Sequence, residues 1–520
     1  MKTTTKFGNR TRQQLKNLLA APAGVLLLCL LAANGQTQTY TILHNFTAPA
    51  GSGGYNGTNS DGASPFLGLL LSGNTLYGAA AFAGSSGAGT LFAVNINGTG
   101  FTNFYSFTPT SGTSGSYYYS AGTNCDGAVP NGGLILADNT LYGTAQAGGS
   151  AGCGTVFAVN TNGTGFTTLY SFTATFGTNG GFGTNSDGAY PFAGLILSSN
   201  TLYGTTQFGG NAGVGTVFAV NTDGTGFTNL HIFSAPTGTN RGMGVNSDGV
   251  NPIGGLILSG NTLYGTAIQG GSSGWGTVYG VNTDGTGFRT LHSFTTPTGS
   301  TGGYGINSDG GWPWDALVLS GDTLYGTAAV AGSSGYGTVF ALNTNGTAFR
   351  TVRSFNTGVG GSNPHAGLVL SGNTLYGTTY RGFGYGAVFS INTNGTGFRS
   401  LHSFAGRPSD GANPSAGLTL SGNTLYGTTF YGGTSSAGTV FSLSYPAPQL
   451  TITPSGTNVS VTWPTDVAGF SYSGCTLQFT TNLGLSAVWC AVSCTNVIVN
   501  GQNTVTNSMI GSQMFFRLCQ

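Results

Sequence analysis

Residues 254–294 contain four apolar runs, GGLILSG (254–260), NTLYGTA (261–267), GTVYGVN (276–282) and FRTLHSF (288–294). Between the second and third lies the glycine-rich IQGGSSGW, and between the third and fourth the turn TDGTG. Each run is short, rich in Val, Leu, Phe, Tyr and Thr, and bounded by Gly, Asn or Ser, which is the composition of a strand. The runs are apolar on both faces, as suits a sheet packed between two other sheets. Ser-Gly-Asn-Thr joins the first run to the second in a tight turn. Asp-Gly supplies the positive φ of a hairpin between the third and fourth. The segment therefore predicts a four-stranded antiparallel meander.

The same unit recurs along the chain. Leu-Tyr-Gly occurs seven times, with its tyrosine at Tyr77, Tyr142, Tyr203, Tyr264, Tyr325, Tyr376 and Tyr426, at spacings of 65, 61, 61, 61, 51 and 50. The separation from each closing Phe to the small residue that opens the next copy is 26, 22, 22, 22, 12 and 13. Subtraction leaves 39 five times and 37 once, so one inter-unit loop holds almost all the length variation. A constant four-stranded unit with one variable connection is a propeller blade. The seventh copy stops at GTVFSLSY (438–445), and its missing fourth strand is present at the other end of the chain as YTILHNF (40–46). The sequence predicts an all-β fold, a seven-bladed β-propeller closed by an N-terminal outer strand. A β-solenoid is the main alternative, but an open solenoid gives no reason for this permutation.

The motif G-L-x-L-S-G-N-T-L-Y-G-T, followed by G-T-V-F-x-x-N-T-[DN]-G-T-G-F, resembles the GloVer tandem-repeat family of secreted cyanobacterial and verrucomicrobial proteins. The resemblance covers residues 40–445 and implies export and a surface or extracellular location. From Pro446 the repeat ends. Residues 449–520 hold short strand-like runs (QLTITPSG, NVSVTWP, CTLQFTTNL, VIVNG) and resemble the small sandwich-type domain found at the C-terminus of verrucomicrobial secreted proteins. The expected domains are a signal peptide (1–35), the propeller (36–445) and a β-sandwich-like domain (446–520).

Composition supports a folded exported chain. Apolar residues make up 39% and charged residues 5%, the reverse of a disordered chain. All three lysines lie in the first sixteen residues, there is no glutamate, and beyond residue 35 eight arginines face twelve aspartates. A nucleic-acid partner would require a basic footprint, which is missing there. A basic segment ending at Lys16, an apolar run from Leu18 to Ala33 and small residues at Ala32, Ala33 and Gly35 read as a secretory signal. The competing reading, a retained anchor, needs roughly 20 uninterrupted apolar residues, whereas this run is shorter and holds Pro22 and Gly24. No membrane span is expected in the mature chain. Six cysteines then remain, and disulfides are expected: Cys125 with Cys153, whose loops share one face, and two bridges among Cys475, Cys490, Cys494 and Cys519.

Candidate chemistry is sparse. Ser-Asp-Gly or a close variant precedes most blades, giving Asp61, Asp126, Asp187, Asp248, Asp309 and Asp410, with none before the sixth. One carboxylate per blade is far from the roughly six to eight oxygens of a calcium site, so capping of turns is the expected role. Asp223 and Asp284 exchange with Asn97, Asn162, Asn345 and Asn394 in the hairpin turns, which asks for a short polar side chain and not a charge. His44, His231, His292 and His402 share one outer-strand position with Tyr105, Tyr170 and Arg353, consistent with amphipathic packing; His365 has no evident partner. There is no G-x-S-x-G, no H-E-x-x-H and no set of titratable groups for acid–base work, so no enzyme, metal or cofactor is expected.

The long loops and the glycine-rich loops fall at one end of the ring and carry its aromatics. Trp275, Tyr304, Trp312 and Trp314, with Arg241 as a hydrogen-bonding partner, form the expected ligand-binding group, suited to stacking on sugar faces. The expected role is a secreted or surface protein that binds glycan or another surface polymer. The alternatives are a structural surface protein without a specific ligand and a carbohydrate-active enzyme.

Overall fold

The computed structural model describes residues 38–51, 57–111, 122–177, 183–240, 243–299, 304–358, 360–382, 384–445, 449–467, 470–471, 476–481, 489–492, 497–508 and 514–519. They fall into two compact units, one spanning Thr37–Pro446 and the other built from Ala447–Val467 and Tyr472–Gln520.

Among the described residues the larger unit contains seven antiparallel sheets of four or five strands, each a meander of consecutive strands apart from the fifth, which gains the short strand Gly311–Pro313, and the last. In the fourth blade the strands are Ile257–Ser259, Thr262–Ala267, Thr277–Asn282 and Arg289–Ser293. The register accounts for the glycine of Leu-Tyr-Gly. Gly265 lies opposite Tyr279, and a Cβ there would stand 2.5 Å from the Tyr279 hydroxyl and 2.9 Å from Leu256. Only glycine lets the third-strand aromatic lie flat across the blade, and the copies with Phe at that position repeat the contact within 3 Å. The aromatic itself is fully buried in all seven blades. At roughly 1.5–3 kcal/mol for each buried ring, this layer is a large contribution to the stability of every sheet.

Closure is covalently simple and non-covalently thorough. Thr39–Asn45 pairs antiparallel with Thr439–Ser444, so the seventh sheet takes its outer strand from the N-terminal end, as the sequence predicts. Neighbouring blades are also tied by a repeated backbone bond. The residue before each loop proline donates its N–H to a carbonyl in the glycine-rich loop of the preceding blade: Val129 to Ala88, Tyr190 to Cys153, Asn251 to Val214, Trp312 to Trp275, Asn363 to Tyr336 and Asn413 to Tyr385. Ser64 to Ala437, at 2.7 Å, completes the circle. All seven donors sit at φ between 55° and 58°, a region that Val, Tyr and Trp avoid unless their surroundings hold them there. The prolines that follow pack on the glycine opening the third strand of the preceding blade. A Cβ on Gly276 would stand 2.5 Å from Pro313, and Gly276 also has a φ of 104°.

Among the described residues the smaller unit holds two antiparallel sheets of three or four strands. Thr451–Ser455, Asn458–Pro464, Gln502–Ser508 and Val497–Val499 form one, and Cys490–Ala491, Thr476–Thr480 and Phe515–Cys519 the other. Its buried residues include Val459, Val461, Trp463, Leu477 and Val505.

Candidate functional site

The loop aspartates and the outer-strand histidines, read apart in the sequence, are partners. His231 Nε2 lies 3.1 Å from Asp248, His292 3.1 Å from Asp309, His44 3.0 Å from Asp61 and His402 3.1 Å from Asp410. The Tyr105 and Tyr170 hydroxyls donate to Asp126 and Asp187 at 2.8 and 2.9 Å. In each case the histidine or tyrosine belongs to one blade and the acid to the loop leading into the next. The same acids accept a backbone N–H just after the outer strand, such as Ser234 to Asp248 at 2.9 Å, which is the capping role expected of them. A bulge makes this possible: it leaves Leu291 between paired residues, buries it, and brings His292 onto the next blade. There the imidazole stacks on Phe349 at 3.7 Å, as His44 does on Phe101 and His231 on Phe288 at 3.5 Å. Burial alone would raise the carboxyls of Asp61, Asp248, Asp309 and Asp410, but the histidine, hydroxyl and backbone hydrogen bonds outweigh it and hold them below the usual carboxylate range. The signal was present in the sequence: the one outer strand carrying Arg353 is followed by the one loop lacking the acid.

The hairpin-turn acids behave as the Asn/Asp exchange implies. Asp223 and Asp284 each accept the N–H two residues on at 2.9 Å, and Asn97 and Asn162 do the same at 3.0 Å. Among the described residues no group of three His, Cys, Asp or Glu could hold a metal ion.

Of the four aromatics expected to act together, Trp275, Tyr304 and Trp312 make direct ring contacts with one another, and Trp314 packs against the same core. Trp275 and Trp312 stack at 6.0 Å, and Tyr304 meets Trp312 edge-on at 4.7 Å. Trp275 is 3% exposed and belongs to a hydrophobic core, so the expectation that it offers a face to ligand is corrected: its ring packs the junction of blades four and five. Trp312 is half-buried and Tyr304 is 39% exposed, so the accessible aromatic surface of this corner is theirs. Both indole N–H groups are buried, and among the described residues neither has an acceptor. Arg241 lies outside the described residues.

Trp314 packs against the same hydrophobic clusters as Trp312 but makes its own ring stack. It stacks on His365 at 4.7 Å, and His365 stacks in turn on Tyr380 at 4.7 Å, which supplies the partners the sequence did not reveal. Burial, with Arg381 adding to it, pulls the His365 pKa down to about 3, so the imidazole is neutral across the ordinary pH range. The residue after the loop proline fills this position in every blade. Phe66 and Phe192 meet at 5.2 Å, and Ile253 packs beside Phe192 and Trp314, capping the channel with apolar groups. Asn131 and Gln146 sit in the same layer, joined by an amide hydrogen bond, with the outer oxygen of one and nitrogen of the other unpartnered among the described residues. Next to Trp314, Asp315 is the only acid at its repeat position, a residue absent from the candidates drawn from sequence. Burial raises its carboxyl above the usual range although the backbone N–H groups of Gly367, Ala316 and Gly255 all bond to it.

Among the described residues the expected Cys125–Cys153 disulfide is not formed. Cys125 and Cys153 are both free. Cys153 is buried against the third blade, its carbonyl bonded to Tyr190, whereas Cys125 is exposed at the outer strand, its carbonyl accepting the Thr168 hydroxyl. Cys490 is free and exposed. Its strand and that of Cys519 flank Thr476–Thr480 on opposite sides, two strand spacings or about 9.5 Å apart, beyond the reach of a disulfide. Cys475 and Cys494 lie outside the described residues.

A sequence profile of the Gloeobacter/Verrucomicrobia repeat matches at residues 120–245, 180–302 and 242–441. No curated protein matches the chain. Among solved structures it is similar to candidate 6-phosphogluconolactonases from Bacteroides uniformis (14% identity, 79% of this chain, 95% of that one, TM-score 0.42) and Bacteroides fragilis (13%, 79%, 93%, 0.41). It is also similar to the β-propeller domain of the Trilobed protease from Pyrococcus furiosus (7% identity, 73% and 95% covered, TM-score 0.40).

Proposed function

We propose that this chain, which belongs to the Gloeobacter/Verrucomicrobia repeat family, is a secreted or cell-surface protein that binds glycan or another neutral surface polymer through its long-loop face. The observation that carries this reading is the Tyr304–Trp312–Trp275 corner. It offers accessible aromatic surface on Tyr304 and the half-buried Trp312, backed by the core ring of Trp275. A pyranose supplies the complement, an apolar face that stacks on exposed rings. The loop acids favour binding over hydrolysis, because the six named are each committed to a His or Tyr side chain and a backbone N–H. The opposite end of the ring, made of near-identical hairpin turns, has no comparable variety.

A glycan array tests the proposal. The wild type should bind, and Trp312→Ala or Tyr304→Ala should abolish binding with little change in melting temperature. Trp275→Ala should instead cost about 3–5 kcal/mol, because that ring is core. A wild type that binds no polymer on the array would leave a structural surface protein.

A further inference from the structure

The innermost strands line the axis, and two residues ahead of each comes a backbone N–H at one repeat position: Gly68, Gly133, Gly194, Gly255, Ala316, Gly367 and Gly417. These residues approach one another around the ring. A Cβ on Gly194 would stand 2.8 Å from the carbonyl oxygen of Gly133, one on Gly367 3.2 Å from that of Ala316, and one on Gly68 3.2 Å from that of Gly417, which closes the circle. Three of the seven N–H groups are engaged. Gly367 and Ala316 each donate to the Asp315 carboxylate at 2.7 Å, and Gly255 donates to it as well. One carboxylate thus spans three blades, showing that the N–H at this position is aimed at the axis.

The other four belong to a contiguous arc, blades seven, one, two and three. The first two strands of every blade pair in the same register, so Gly417, Gly68, Gly133 and Gly194 present their N–H groups as Gly255 and Gly367 do. Among the described residues none of the four donates a hydrogen bond, and each keeps accessible surface. Successive backbone N–H groups converging on a concavity are an anion-binding arrangement. We propose that the throat of the ring is an anion site, in which Asp315 occupies one arc and a small carboxylate or oxyanion binds the arc formed by Gly417, Gly68, Gly133 and Gly194. The site is separate from the aromatic corner of the loop face and does not depend on it.

The probe is acetate, with acetamide as its uncharged isostere, added to the full-length protein labelled with 15N-glycine. Acetate should shift the amide signals of Gly68, Gly133, Gly194 and Gly417 together and saturably, while acetamide leaves them in place. Asp315→Ala removes the resident charge and frees three more donors, so its apparent Kd for acetate should fall roughly tenfold or more. Asp315→Asn, which keeps an oxygen for the N–H groups, should tighten binding in the same direction and serves if the alanine variant does not fold. Equal shifts with acetamide, shifts confined to the hairpin turns, or unchanged affinity in the folded variant would each overturn the proposal.

Discussion

Six of the seven blade junctions are latched by a carboxylate, and the one between the fifth and sixth blades is made with a guanidinium laid 3.9 Å over Phe398. What the two kinds share is a planar group of one outer strand stacked on an aromatic ring at the outer strand of the next blade. The pair is His292 on Phe349, Tyr105 on Phe166 at 4.1 Å, His402 on Tyr40 at 4.0 Å, or Arg353 on Phe398. The acid is the part that can be dispensed with. Where it is missing, Gly360 stands in its place at a φ of 100°, and a Cβ there would lie 2.4 Å from the Phe398 ring. The stack sets how closely blades approach; the carboxylate ties the incoming loop to that stack.

This comparison can be broken at several strengths. The most severe test is removal of residues 39–46, which takes Leu43 and Phe46 out of the core and exposes the edge of Thr439–Ser444. The loss should exceed about 5 kcal/mol, and size-exclusion chromatography should show aggregation through the free edge. A monomer with an unchanged melting temperature would contradict the closure. Next, Asp248→Ala leaves His231, the Ser234 hydroxyl and the Ser234 N–H without their acceptor, and should cost about 3 kcal/mol in urea denaturation. A cost near zero would mean that the stack alone holds the junction.

Acid should act on the same groups more gradually. Asp61, Asp248, Asp309 and Asp410 have depressed folded-state pKa values, so their contribution is present above the unfolded carboxylate pKa of about 3.9 and is lost as pH falls through the lower folded values. Melting temperature should therefore drop below about pH 4, and Asp248→Asn should flatten that limb. An identical acid slope in the variant would remove the latch from the account. The smallest effect is expected at the exception: Arg353→Met keeps the aliphatic cover but loses the cation over Phe398, for about 1 kcal/mol. A loss as large as that of Asp248→Ala would show that the guanidinium replaces acid and stack together.

Strand order, register and closure are legible in the sequence because each rests on local periodicity repeated seven times. The latches are half legible. Sorting each residue type by its own repeat position hides the covariation of Arg353 with the missing acid, which shows only across positions. Burial of Trp275 and the stack of Trp314 on His365 are not legible, since each depends on contacts with a neighbouring blade that spacing along the loop does not show. Asp315 does carry a signal: an acid in WPWDALVL, where the other copies have Leu, Gly or Ala. The cysteines mislead because sharing a face of the ring does not bring two side chains within bonding distance.

The strand Thr39–Asn45 meets its partner Thr439–Ser444 across almost the whole length of the propeller chain. A ribosome delivers these two segments at opposite ends of the propeller's synthesis, so six blades can assemble while the seventh waits. Contacts of such long sequence separation form last and slowly. The nascent ring therefore remains an open arc with two unsatisfied edges until its final hairpin emerges, which makes the interval before closure the period in which a holdase would have most to protect.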